Sequence, residues 1–223
     1  MAEINLMDRY PRSRRPIALR ARNVTEADRA LSRQFGKDYF DGDRLHGYGG
    51  YHYHPRFWQE TVKRFRDHYR LAADASILDV GCAKGFMLHD FKELMPRSRV
   101  AGVDISTYAI DNAIDTMKPY LQVGNVVDLP FSDCSFDLVI AINTVHNLDL
   151  EGCKKGIREV QRVSRGNAFL VVDAWRNQQE RQLLVDWVVT CRTHMHTEEW
   201  KKLFAEVGYT GDYYWFIAES GEE

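Results

Sequence analysis

The chain has 223 residues, is 44% hydrophobic and 28% charged, and carries a net charge of −2. One α/β domain fills that length, and the near-balanced charge excludes a global pull toward nucleic acid or an anionic membrane. No apolar run reaches the ~18 residues of a membrane-spanning helix.

The N-terminus, MAEINLMDRYPRSRR, lacks the apolar segment of a signal peptide. Cys82, Cys134, Cys153 and Cys191 show no metal-ligand spacing, so free thiols in a reducing cytoplasm are expected. The arm gathers Arg9, Arg12, Arg14, Arg15, Arg20 and Arg22 around Pro11 and Pro16. Proline and like charge predict an extended, poorly ordered segment. Arginine grips phosphate bidentately, which suits a clamp on a phosphorylated substrate, but a solvated basic arm is the plainer expectation.

Thr25 to Phe35 reads as a short helix, with Thr25-Glu-Ala-Asp28 as a capping box that uses Asp at its return position. Residues 40 to 55, FDGDRLHGYGGYHYHP, interleave Gly47, Gly49 and Gly50 with Tyr48, Tyr51 and Tyr53. Glycine gives mobility and tyrosine gives flat amphipathic surface, so the segment reads as a lid over a ligand or as a packed turn. His52 and His54 share a side if the segment is extended, with His46 nearby. No cysteine or carboxylate cluster completes a ligand set, so no metal is expected. Pro55 opens a helix whose apolar face is Trp58, Val62, Phe65 and Tyr69.

The chain is organised around Ile77-Leu78-Asp79-Val80-Gly81-Cys82-Ala83-Lys84-Gly85-Phe86. A strand buried on both faces runs into a small-residue turn and then a helix. Gly81 and Gly85 remove β-carbons where the backbone turns, opening the main chain and the next helix's first N–H groups to a ligand. The Gly-x-x-x-Gly spacing matches neither the dinucleotide fingerprint nor the P-loop. Phe86, Met87, Phe91 and Leu94 form the buried side of the helix, which ends near Pro96. A second strand runs from Val100 to Asp104, whose carboxylate stands about 20 residues after the glycine turn, where an acid bonds ribose hydroxyls. Ser106 caps a helix built on Ala109, Ile110, Ala113 and Met117.

Residues 123 to 143, VGNVVDLPFSDCSFDLVIAIN, complete a pattern. With the first motif and Asp104, this segment resembles the class I S-adenosylmethionine-dependent methyltransferases, in the family's order and spacing. The resemblance implies an adenine contact at Asn125, where the family has Asp. An amide oxygen still accepts from an amine, without charge assistance. Val126 would pack on the ring, and Asp128 is an alternative acceptor. Phe136 to Ile142 is the fourth strand, and Asn143-Thr-Val-His146-Asn147 leaves its carboxyl end. The family places groups facing the transferred methyl there. His146, with an unperturbed pKa near ~6.5, is the expected general base; the bland alternative is a helix cap or packing beside the cofactor.

Cys153, Ile157 and Val160 mark the next helix, and Ala168 to Asp173 the next strand. Trp175 and Arg176 leave it as substrate contacts or as a rim pair. Residues 177 to 189 form an amphipathic helix with Leu183, Leu184, Trp187 and Val188. His194 and His196 repeat the two-apart spacing, and lead into a helix capped by Thr197, with Glu198 and Glu199 in its first turn. It buries Trp200, Leu203, Phe204 and Val207 and ends at Gly208. Tyr213 to Ile217 is a terminal strand. The family ends in a two-strand hairpin; here the sheet is a strand short, or residues 187 to 194 supply one.

The resemblance implies an α/β fold with a Rossmann-like, mostly parallel sheet of six or seven strands, helices on both faces, and an N-terminal helical cap. Residues 1–75 would form arm, lid and cap, and residues 76–223 the S-adenosyl-L-methionine-binding domain. Cofactor contacts fall on Asp79, Gly81, Cys82, Gly85, Asp104, Ile105, Asn125, Val126 and Asn143. Substrate contacts fall on Tyr48, Tyr51, Tyr53, Asn147, Trp175 and Arg176. The expected activity is methyl transfer to a hydroxyl of a small molecule such as a nucleotide-sugar or natural-product precursor, in the cytoplasm, by a protein free to form a homodimer. N-methylation, a non-catalytic cofactor-binding subunit and an NAD-linked oxidoreductase are the competing readings.

Overall fold

β1 (Ser76–Val80) is buried at every position, as its unbroken apolar character requires. Its successive side chains point to opposite faces. Leu78 and Val80 join one core cluster, with Ile157, Val160, Trp200 and Phe204. Ile77 joins the other, with Phe65, Leu88, Phe91 and Phe169. Each such side chain contributes roughly 1.5–3 kcal/mol by leaving water. The computed structural model describes residues 1–11 and 15–219.

The sheet has seven strands: β1, β2 (Arg99–Asp104), β3 (Leu121–Val123), β4 (Leu138–Ile142), β5 (Ala168–Trp175), β6 (Met195–His196) and β7 (Asp212–Phe216). Their order is β3-β2-β1-β4-β5-β6, with β7 also on β5. Every strand pairing is parallel. Ile77 sits between Val100 and Leu138 in register. Among the described residues the terminal hairpin of the resemblance is not formed. β7 lies along β5 from Phe169 to Asp173, and the two-residue β6 takes the last rungs at Ala174 and Trp175. The extra strand thus falls just past residues 187 to 194.

Four helices precede β1: α1 (Ile17–Asn23), α2 (Glu26–Ser32), α3 (Lys37–Asp41) and α4 (Gln59–Tyr69). The others are α5 (Phe86–Leu94), α6 (Thr107–Asp111), α7 (Leu150–Val163), α8 (Gln178–Trp187) and α9 (Thr197–Glu206). α2 starts on the expected capping box, with Thr25 accepting from the Asp28 N–H and Asp28 from the Thr25 N–H. α4 starts at Gln59, after a turn at Pro55, and buries Val62 and Phe65. α6 is short; Ala113 and Met117 are buried beyond it. His196, not Thr197, caps α9, its ring accepting from the Glu198 N–H. Val207 is that helix's C-cap, and Gly208 follows in the left-handed region.

The N-terminal arm departs most from expectation. The Ile4 N–H donates to Tyr213 O and the Tyr213 N–H to Ala2 O, so the first residues cover the free edge of β7. Leu6 is 1% exposed and Arg20, in α1, only 6%. Apolar residues spaced among the charges anchor the segment. Arg12 and Arg14, counted with the basic arm, lie outside the described residues.

Candidate active site

The carboxyl ends of β1, β4 and β5 open on a cavity of about 810 Å³. Gly81 and Gly85 have φ of +83° and +78°, a region glycine enters without strain. Both vacant β-carbon positions face the protein itself. A β-carbon on Gly81 would collide with the Thr144 hydroxyl, and one on Gly85 would lie 2.8 Å from Leu121 Cδ1. The glycines therefore let β4's exit and β3 close on the turn. Most turn N–H groups are also used internally: Gly81 and Cys82 donate to Val103 O, Gly85 to Cys82 O, and Ala83 to Asp104 Oδ2 at 2.7 Å. The free N–H groups expected at the turn are thus confined to the start of α5, where Phe86 and Met87 meet the cavity.

Asp79 faces the cavity at 5% exposure and receives no hydrogen bond from the described residues. Burial, then the nearby Asp104 charge, pushes its carboxyl up to about 8. Asp104 is held by backbone N–H groups, Ala83 on one oxygen and Ser106 on the other. Burial still raises its carboxyl. Each oxygen keeps a lone pair for a further donor.

The Gly/Tyr segment rests on this turn. Lys84 is buried, with Nζ 2.6 Å from Asp41 Oδ2 and 2.9 Å from Tyr51 O. Tyr51 stacks on Phe86 with centroids 4.8 Å apart, and Tyr48 lies 4.3 Å from Tyr51. Both tyrosines line the cavity. Tyr53 turns away, donating to Asp90 Oδ1 at 2.6 Å.

His146 is 3% exposed. Its Nδ1 accepts the Asp173 backbone N–H at 3.0 Å, and its Nε2 stands 3.4 Å from Asp173 Oδ2. That bond fixes the tautomer with the proton on Nε2. Burial lowers the imidazole's pKa. The ring's one lone pair is committed to the backbone, so the geometry leaves His146 no free lone pair for the base role that the sequence suggested. Asp173 lines the cavity beside it. Cys191 joins them, with ligand-type atoms of all three within 4.8 Å of one another. Its thiol meets Thr193 O at 3.4 Å.

Other histidines do not gather. His46 pairs with Asp28 at 3.0 Å, and His196 meets Arg176 O. The His54 Nδ1 accepts from the Arg56 N–H, and His52 lines the cavity. His194 is near enough to act electrostatically on His146.

Among the sequence-derived candidates, Asp79, Gly81, Cys82, Asn143, His146, Tyr48, Tyr51 and Arg176 line the cavity. Arg176 is ion-paired with Glu180 at 2.6 Å. Gly85, Asp104, Ile105, Asn125 and Val126 lie outside it, as do Tyr53, Asn147 and Trp175. Ile105 is 52% exposed and Val126 is 8%. The exposed Asn125 bends back to accept the Val127 N–H. Asn147 donates to Asn143 O, and Trp175 packs on His196. Sequence reading missed Asp173, Arg44 and Trp187 as cavity residues, and it weighed Arg20, which lines the wall, only as part of the arginine arm. Asp173 did carry a signal, being an acid at the carboxyl end of a buried strand.

The donor set suits S-adenosyl-L-methionine. A buried carboxylate without a partner favours a cation beside it, Asp104 retains acceptor capacity for hydroxyls, and Ile105 offers exposed apolar surface next to it.

Residues 77–167 match the model of a methyltransferase domain. The chain is similar to a protein named as a methyltransferase in Encephalitozoon cuniculi, 30% identical over 122 residues, 54% of this chain and 53% of that one. It is 33% identical over 132 residues to the tRNA (carboxymethyluridine(34)-5-O)-methyltransferase of Arabidopsis thaliana, 58% of this chain and 31% of that one. The chain thus spans about half or less of these relatives' lengths. Among solved structures, a chain of the Haloferax volcanii complex between the Trm112 methyltransferase activator and a methyltransferase aligns with TM-score 0.55 at 20% identity, over 66% of each chain. At that identity the likeness is one of fold.

Proposed function

We propose that this chain, whose residues 77–167 form a class I S-adenosylmethionine-dependent methyltransferase domain, transfers a methyl group to a hydroxyl of a small-molecule acceptor. One observation supports this above others: a single cavity joins the partnerless Asp79 carboxylate to the Asp173–His146 pair. S-adenosyl-L-methionine, when bound, supplies a methyl group on a positively charged sulfur. Asp79 favours positive charge at the cavity's β1 end, Asp104 accepts from the ribose hydroxyls, and Ile105 and Val126 offer apolar surface to the adenine. Asn125, Asn143, Cys82 and the backbone at Gly81 complete that side, and Gly85 shapes the turn. Tyr48 and Tyr51 wall the acceptor side, with Arg176 at its rim.

Asp173 takes the acceptor's hydroxyl proton. His146 packs beside that carboxylate, its Nε2 3.4 Å from Asp173 Oδ2, and stays neutral because its Nδ1 accepts from backbone. The rest of the work is placement, holding acceptor and methyl donor in line in a walled cavity. The tRNA in the Arabidopsis relative's name is not carried over, because the match spans only 31% of that protein.

Calorimetry with S-adenosylhomocysteine, followed by mass spectrometry of hydroxyl and amine acceptors incubated with the protein and cofactor, tests the reading. Binding plus a gain of one methylene on a hydroxyl compound is the expected result. Binding without turnover on any acceptor favours the non-catalytic subunit, and amine products favour N-methylation. Absence of binding removes the proposal.

A further inference from the structure

Arg20 and Arg44 meet in the cavity wall on the indole of Trp187, their guanidinium carbons 4.1 and 5.5 Å from its ring centroid. Arg20 is buried, and its N–H groups reach only carbonyl oxygens: Trp187 at 3.1 Å, Arg44 at 2.6 Å and Gly47 at 3.1 Å. Arg44 donates to Gly47 O and otherwise opens to the cavity. Neither has a carboxylate partner among the described residues, and Arg29 adds further positive charge nearby. Burial first, then Arg44, lowers the Arg20 guanidinium to about 10. Glu219, also in the wall, acts on Arg176.

Arg20 is a buried charge with a like charge beside it and no counter-ion among the described residues, an unfavourable arrangement that an anion would relieve, whereas Arg44 is exposed at the mouth of the wall. The Arg44 guanidinium, steadied on the same indole as Arg20 and Arg15, presents the forked donors that oxyanions match, and the buried Arg20 adds charge behind it. Position decides which ligand is served. Trp187 ends α8, which follows β5, and β5 lies two strands from β1 in the sheet. The pair therefore reaches the cavity from the β5 side of the sheet, away from the turn that follows β1.

We infer that Arg20 and Arg44, stacked on Trp187, form a binding site for an anionic group of the acceptor, a phosphate or a carboxylate. The site deepens the methyl-transfer reading and rests on it for the identity of its occupant as acceptor.

The test is calorimetric titration of the whole protein with pyrophosphate and, separately, citrate at fixed ionic strength, with chloride as control. Arg20→Ala risks the fold, since three carbonyls would lose their donor. Arg44→Gln leaves Arg20 on the Gly47 carbonyl and is the variant of choice, its folding checked by circular dichroism. The expected result is saturable binding of at least one anion, weakened tenfold or more in Arg44→Gln, with affinity for S-adenosylhomocysteine changed less than twofold. The tighter anion names the group. Three results overturn the inference: no saturable heat with either anion, equal binding by the variant, or a matching loss of S-adenosylhomocysteine affinity, which would give the arginines to the cofactor's carboxylate. Failure of the wild-type protein to bind S-adenosylhomocysteine would sink the methyl-transfer reading separately, and the anion titrations would still decide the site.

Discussion

Replacing Asp79 by Asn should stabilise the ligand-free protein and weaken its hold on the cofactor. Asp79 is buried, faces the cavity, and has its carboxyl raised to about 8 by burial and then by Asp104. In the unfolded chain an aspartate titrates near ~3.9. Between those values the folded chain holds a proton that the unfolded chain has released. Stability therefore falls as pH rises through this window, by up to ~1.4 kcal/mol per pH unit. By about pH 7 the accumulated cost approaches roughly 4 kcal/mol. Asp104, also raised by burial, shares part of that titration. Asn is neutral throughout, so Asp79→Asn should gain roughly 2–4 kcal/mol near pH 7 and show a flatter pH profile. Urea unfolding of both ligand-free proteins between about pH 5 and about pH 8 reads this directly. S-adenosylmethionine affinity should fall at least ~10-fold in the variant, since a cation loses its carboxylate. Parallel pH profiles for the two proteins would refute the reasoning, because Asp79 would then titrate as it does when unfolded.

Gly81→Ala should cost roughly 2–4 kcal/mol, from left-handed strain and overpacking together. Its β-carbon displaces Thr144, whose hydroxyl bonds Val80 O at 2.9 Å. Denaturant unfolding checks this, and Thr144→Ala in the same chain should recover part of the loss. Lys84→Met strands the Asp41 carboxylate and should cost ~3–5 kcal/mol. Limited proteolysis should cut residues 35–51 faster in that variant; an unchanged cleavage rate would mean the lid is held elsewhere. Burial alone would raise Asp41, but hydrogen bonds from Lys84, Tyr51 and Tyr108 hold its carboxyl down at about 2. The pair's stabilisation is thus complete above the unfolded value near ~3.9 and lost as pH falls toward the folded one. With a hydroxyl acceptor in hand, Asp173→Asn should lower kcat by at least ~100-fold with cofactor affinity preserved. His146→Asn, which can still accept the Asp173 N–H, should cost about 10-fold; a larger loss there than in Asp173→Asn would return the base to His146.

The strand–turn–helix at 77–86 was legible because its signals are local. Apolar runs mark buried strands, small residues mark the turn, and the strand order follows from parallel crossovers. The Asp104 position and the cap at Ser106 were equally readable, since each depends on its neighbours along the chain. The last strand was legible too, read as Tyr213 to Ile217 and found at Asp212–Phe216, but its pairing and β6 were not. β6 has two residues and no pattern to show, and β7 pairs with β5 through a register no spacing encodes.

The sequence by itself determined the domain type and the strand–turn–helix at 77–86. It could not fix the surroundings of side chains whose chemistry depends on distant partners. His146 looks like a base until the Asp173 backbone, 27 positions away, occupies its lone pair. Arg20 looks like a solvated charge until Trp187, 167 positions away, covers it. Gly81 looks like room for a ligand until Thr144 fills the space. Backbone preference acts within a few residues and is written along the chain. Desolvation and hydrogen-bond commitment depend on which remote groups folding brings within a few ångströms, and only the tertiary structure decides that.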